Sequence, residues 1–244
     1  MKNAINADAR LVPAGGFITK LRSSQRRKLL DAFASFRNDA GEDSILDVGM
    51  MPIPLFDTRE YLSAWTAPRY RSRITSYKIA PPGSAPSRFR PQGPGGIRTL
   101  PYRDGQFDWV FCGETLEHAG NYEQQFALVR ELTRVARKGV FITTSNRRHP
   151  IEFNTALPLA HWLPAAWWRR VLTWSGRAGW ASESVLNLLD SRALYRMASE
   201  LPGQPKSDVG HKRVFGLKAH FFLMIEMEQV ADLAMGAPAC IRHT

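Results

Sequence analysis

Only two cysteines, Cys112 and Cys240, occur in 244 residues, and no Cys/His cluster has zinc-ligand spacing. A disulfide framework and a structural zinc site are both excluded on that count. No stretch of about 20 uncharged apolar residues is present, so no segment reads as a membrane-spanning helix. The opening MKNAINADARLVPAGGF has no apolar core of leader length, and the expected location is the cytoplasm. Internal repeats and runs of five or more like charges are missing too. Acidic residues are scarce: 22 against 33 lysines and arginines, for a net charge of +11. That balance favours an anionic partner. The basic residues are spread out rather than gathered on one segment, which is weak support for a dedicated nucleic-acid patch and equally suits an ordinary soluble protein rich in arginine.

What is present is an α/β pattern. Ser23-Ser24 followed by QRRKLLDAFASF predicts a capped helix with Leu29, Leu30, Phe33 and Phe36 on one face. SILDVG at 44–49 reads as a strand ending in a glycine turn, DTREYLSAW as a short helix, and RITSYKI at 73–79 as a second strand. Residues 80–96 are dominated by proline and glycine and cannot hold a central strand. After an Asp-Gly turn come a strand at Phe107–Cys112, a helix at Tyr122–Arg137 closed by Lys138-Gly139, and the β-branched strand GVFITTS. Such alternation with short links predicts a parallel sheet covered by helices on both faces. Further on, a helix capped by Asp190 and stopped at Pro202-Gly203 precedes two strands turning near Gly216.

The ordered series ILDVG, LPYRDGQFDWVFCGETLEH and FALVRELTRVARKGVFITTSNRRHP resembles the class I S-adenosylmethionine-dependent methyltransferases, in particular methyltransferase type 11 and the bacterial ubiquinone/menaquinone C-methyltransferases. The resemblance spans about residues 44 to 227 and is most specific from Leu100 to Pro164. It implies a Rossmann-like class I fold: a mostly parallel seven-stranded sheet with helices on both faces and a C-terminal antiparallel hairpin. It divides the chain into an N-terminal helical segment, 1–40, and a methyltransferase-like domain, 41–244. Within that domain 80–96 is a loop and 155–180 a Trp/Arg-rich insertion or lid.

The resemblance implies S-adenosylmethionine as methyl donor, with no metal. It places Asp47, Gly49, Met50, Leu100 and Cys112 on the cofactor side. A small residue at a strand end lets the backbone approach a ligand, and the N–H groups of the turn meet its carboxylate. Two departures stand out. The turn reads Gly49-Met50-Met51-Pro52, with one glycine, and the acids expected at the ribose and adenine fall on Lys78 and near Gly96, which cannot accept those hydrogen bonds.

Methyl transfer requires positioning, and a base where the acceptor carries a proton. Glu117 and His118 are the candidate catalytic pair, and Asn146, His149 and Glu152 the substrate-side candidates, with Glu114 beside them. An acceptor that is a small molecule or lipid-linked fits the family. Trp162, Trp167, Trp168 and Trp174, with Arg169 and Arg170, read either as a lid packed on the sheet or as an interfacial helix touching an anionic membrane. The alternative from a different class is a non-catalytic binding or scaffold protein with the same fold and an eroded cofactor site.

Overall fold

A computed structural model describes residues 17–38, 42–50, 62, 68–79, 99–155, 157–183 and 185–228. The expected helix at DTREYLSAW, Leu62 aside, and the Pro/Gly-rich 80–96 lie outside the described residues. Helix α1 (Phe17–Phe36) begins before Ser23-Ser24, which are therefore interior residues rather than a cap. It buries Leu29, Leu30 and Phe33, as the spacing predicts. Strands β1 (Ile45–Met50), β2 (Ile74–Ile79) and β3 (Phe107–Cys112) follow.

Helix α2 (Tyr122–Val135) starts with a capping box: Asn121 accepts from the Gln124 amide, and Gln124 returns the bond. Its end differs from expectation. The chain is already extended at Ala136, and β4 (Ala136–Ser145) carries Lys138 and Gly139 inside a strand. Gly139 is required for close approach, because a Cβ there would stand 2.7 Å from the Trp109 ring and 2.8 Å from the Ile225 carbonyl oxygen. Helices α3 (Ala165–Trp174) and α4 (Ser191–Ser199) come next, the second capped by Asp190 as expected. Strands β5 (Ser207–Val214) and β6 (Leu217–Glu226) form the predicted hairpin. Its two-residue turn puts Phe215 and Gly216 at φ +49° and +78°, the doubly left-handed geometry that suits strand twist.

The sheet order is β2-β1-β3-β4-β6-β5. The first four strands are parallel, and β6 runs antiparallel to both β4 and β5. Six strands are seen among the described residues against seven expected. Strands β1, β3 and β4 are buried on both faces, which is why they read as near-continuous apolar runs. On one face Val48, Val110 and Ile142 meet Leu128, Val129 and Leu132 of α2 and Leu194 and Met197 of α4. On the other, Phe33 of α1 packs against Phe111 and Phe141 at centroid distances of 5.1 and 5.4 Å, and Phe141 stacks on Phe222. Each such buried ring contributes about 1.5–3 kcal/mol.

Strand β1 lies between β2 and β3, so the winding reverses direction there. The reversal opens a crevice at the carboxyl ends of β1 and β3, where open α/β sheets bind ligands.

Candidate functional site

Gly49 and Met50 end β1 at this crevice, and Cys112 ends β3 beside them. The side chain of Met50 lies outside the described part. Asp47 is 1% exposed, in register with Ser76 and Phe111. Cys112 is fully buried; burial pushes its thiol far above the ordinary range, and the Glu117 and Asp47 carboxylates push the same way. No thiolate forms there, and the residue serves as a small apolar filler. Leu100 sits elsewhere. Its N–H donates to Glu131 Oε2 and its carbonyl accepts from Arg134. Those partners lie nine and twelve residues into α2, at least roughly 13 Å along the helix from its crevice end. Leu100 therefore anchors the strand entry rather than facing the crevice.

Beyond β3 the chain enters Glu114 at φ +45°, an unusual conformation for a side chain of its size. The conformation is over-determined by its neighbours. The Glu114 amide donates to the Thr143 carbonyl and hydroxyl, at 3.2 and 3.0 Å. The carboxylate receives Arg26 of α1 at 2.9 Å and stands 3.7 Å from His220 of β6. Three elements distant in sequence thus converge on one residue.

Glu117 is fully buried one turn later, in a single 3-10 turn, Leu116–His118. It accepts from the Thr144 hydroxyl at 2.8 Å and the Ser145 amide at 3.3 Å. Burial, followed by the neighbouring Glu114 carboxylate, raises its pKa to about 7 despite those donors. Such a carboxyl exchanges a proton readily near neutrality. His118 does not join it. Its Nδ1 is 2.6 Å from the Val185 carbonyl, so that nitrogen carries the proton, and the ring lies against Trp180. The two side chains of the expected pair diverge.

The substrate-side candidates also separate into different jobs. Asn146 is spent on the backbone: its Nδ2 donates to the Lys218 carbonyl and its Oδ1 accepts from the Arg148 amide. Glu152 is saturated, accepting from the amide and side chain of both Asn154 and Thr155 at 2.5–2.9 Å. It staples the turn after β4. His149 is different. Its Nδ1 lies 2.9 Å from the Ile151 carbonyl and 3.2 Å from the Ile151 amide, while Nε2 is buried with no hydrogen-bond partner among the described residues. The shorter contact places the proton on Nδ1 and leaves a lone pair on Nε2. Its ring stacks on Phe153, and Phe153 stacks on His220, each at 5.0 Å.

Arg26, Phe153 and His220 are site residues that motif reading misses. Arg26 reads as one cation of an amphipathic helix and His220 as one residue of a hydrophobic strand. Arg26 and His220 are marked only by their convergence on Glu114, and Phe153 by its stacking between His149 and His220. Among the described residues no group of three or more His, Cys, Asp or Glu side chains is placed to hold a metal ion.

The fold is a doubly wound α/β sheet whose switch point lies at the carboxyl ends of β1 and β3. Residues 61–143 match the family described as the methyltransferase domain. Over that segment the chain is similar to methyltransferase domains, and the sheet order is that of a Rossmann-like class I fold. No curated protein matches the chain. Among solved structures it is similar to a SAM-dependent methyltransferase from Methanosarcina mazei, with 10% identity over 76% of this chain and 92% of that one, TM-score 0.38. It is similar also to a geranyl diphosphate methyltransferase in complex with SAM: 12% identity, 93% and 96% covered, TM-score 0.41. A protein described as a Zn-dependent alcohol dehydrogenase from Rhodobacter sphaeroides gives 11% identity, 80% and 89% covered, TM-score 0.44. These likenesses are remote.

The described residues fit the donor unevenly. Gly49 has no side chain at the end of β1, which lets a neighbour approach its backbone closely. The end of β2 presents Lys78, whose Nζ stands 3.0 Å from where a Cβ of Gly49 would be. An ammonium cannot accept from ribose hydroxyls, and its charge has the same sign as the donor's sulfonium.

Proposed function

We propose that the protein moves a methyl group from S-adenosylmethionine to a small-molecule or lipid-linked acceptor held above the ends of β3 and β4. The observation that carries this reading is the buried polar group beside the switch point. Buried Glu117, His149 and His220 and the nearly buried side chain of Glu114 gather there from three strand ends, where an ordinary core would be apolar. The bound donor would supply the electrophilic methyl; Gly49 and the buried Asp47 on β1 would hold its methionine end. Glu117 would take the acceptor's proton, with Thr144 and Ser145 fixing the carboxylate. Arg26 and Glu114 would position the wall opposite, and His149 Nε2 would orient the acceptor.

We read the insertion as a surface contact for an anionic membrane, with the protein otherwise cytoplasmic. Trp168 and Trp180 turn inward to a small core with Leu172 and Leu186. Trp162, Trp167 and Trp174 remain 54%, 54% and 76% exposed, with Arg170 over the Trp167 ring at 5.5 Å. Exposed indoles among arginines suit the headgroup region, and this would bring a lipid-linked acceptor to the crevice.

Lys78 against Gly49 favours a second reading, a non-catalytic protein of the same fold. Calorimetric titration with S-adenosylmethionine and S-adenosylhomocysteine separates the two. Micromolar binding abolished by Asp47→Ala supports the enzyme; folded protein that binds neither ligand supports the second reading.

A further inference from the structure

A cavity of about 730 Å³ lies on the α2/α4 face and is lined by none of Glu114, Glu117, His149 and His220. Its size is that of small-molecule sites, ~300–1,000 Å³. Three features of its lining point to a ligand. Gln125 is fully buried, its Nε2 donates to the Asn187 carbonyl at 2.9 Å, and its Oε1 is buried with no partner among the described residues. The amide cannot be turned round, since that would set its oxygen against the Asn187 carbonyl. Hence a buried acceptor on this wall lacks a donor. Two arginines follow β4 on the same wall. Arg148 pairs with Asp190 at 3.1 Å, whereas exposed Arg147 has no ion-pair partner among the described residues. The lining therefore carries one uncompensated positive charge. Finally, Trp162 presents a half-exposed indole to the same space.

We infer that this cavity binds a small ring-bearing organic anion with a hydroxyl or amine donor. The anion meets the Arg147 guanidinium, the ring lies on Trp162, and the donor satisfies Gln125 Oε1. A neutral ligand forfeits the charge, and an anion without a donor leaves Gln125 unsatisfied. The site goes beyond methyl transfer and stands whether or not the crevice holds a donor.

Isothermal titration of the full chain with 4-hydroxybenzoate and 4-hydroxyphenyl phosphate tests it, with benzoate and 4-hydroxybenzamide as the probes lacking donor and charge. At least one hydroxylated anion is expected to bind saturably, and about tenfold more tightly than either control. Arg147→Glu, at an exposed position, is expected to abolish binding of the anion without lowering the melting temperature. Gln125→Leu is expected to bring 4-hydroxybenzoate down to the affinity of benzoate. Trp162→Ala, also exposed, checks the ring independently of core folding and is expected to weaken both anions. No saturable binding of either anion at millimolar concentration, or an unchanged affinity in Arg147→Glu, overturns the inference.

Discussion

Arg26 and Glu114 stand 88 residues apart in the chain and 2.9 Å apart in the fold. The guanidinium of α1 is the cation placed on a carboxylate whose own backbone is left-handed. The pair ties the N-terminal helix to the turn after β3 and orients one wall of the crevice. With side-chain exposures of only 20% and 10%, it is better shielded than an ordinary surface ion pair.

Replacing Arg26 by alanine should remove the guanidinium from which Glu114 accepts. The expected loss is about 2 kcal/mol, the range for a hydrogen bond to a charged group. Urea unfolding measures it, and a double-mutant cycle with Glu114→Gln isolates the pair. A cost of a few tenths would show the contact to be energetically idle.

Glu117 predicts a pH dependence of opposite sign to that of most carboxylates. Its ordinary value is 4.5, and in the fold it holds its proton until about 7. Between those values the native state binds more protons than the unfolded chain, so stability falls as pH rises. The effect is fully present below about pH 4.5, is lost through pH 7 and is flat above it, with a span of up to about 3 kcal/mol. Glu117→Gln should remove the slope. Denaturant midpoints from pH 5 to 8 compare the two proteins, and parallel curves would refute the assignment. In the enzyme reading, activity should rise with pH through an apparent value near 7.

Gly139→Ala should be among the costlier single-methyl additions in the sheet. The new Cβ meets the Trp109 ring at 2.7 Å and a backbone oxygen of β6 at 2.8 Å, and the backbone partner cannot swing away. Overpacking of this kind costs about 1–3 kcal/mol. Thermal denaturation gives the answer; a variant as stable as the parent would mean that the β3–β4–β6 spacing is softer than the structure has it.

Lys78→Asp should restore an acceptor at the end of β2 and remove a like charge. Affinity for S-adenosylhomocysteine should rise by about tenfold or more, worth ~1.4 kcal/mol. Calorimetry reads it directly. Unchanged affinity would mean that the ribose is held by other residues, or is not held.

Trp167→Glu and Trp174→Glu change exposed positions and should leave folding intact. Flotation with vesicles containing phosphatidylserine is expected to recover the parent protein and to lose most of the double variant. Equal recovery would remove the membrane-contact reading.

Residue order was enough to place β3, β4 and the Asp190-capped helix, because each is a local matter. Buried parallel strands must be apolar throughout, and an N-cap needs one oxygen at one position. It was not enough at Gly139, which reads as a helix stop because glycine commonly is one. In the fold, the demand for space beside Trp109 takes precedence, and α2 ends at Val135. Likewise Ser23-Ser24 have the composition of a cap but lie inside α1, where packing of Leu29 and Phe33 outweighs local preference.

The site divides along the same line. Glu117 and His149 were visible as chemistry-bearing residues at strand ends, since the alternating pattern fixes where such ends fall. His118, Asn146 and Glu152 were visible too, yet each is bound to a neighbouring carbonyl or amide, and local sequence carries no record of where a hydrogen bond goes. Arg26, His220 and the Gln125–Arg147–Trp162 cavity could come only from tertiary structure. Their meaning depends on contacts between residues far apart in the chain, set by sheet order and helix packing rather than by spacing. What the residues alone determined was the class of fold; which side chains share a wall was decided by the way the sheet closes on its helices.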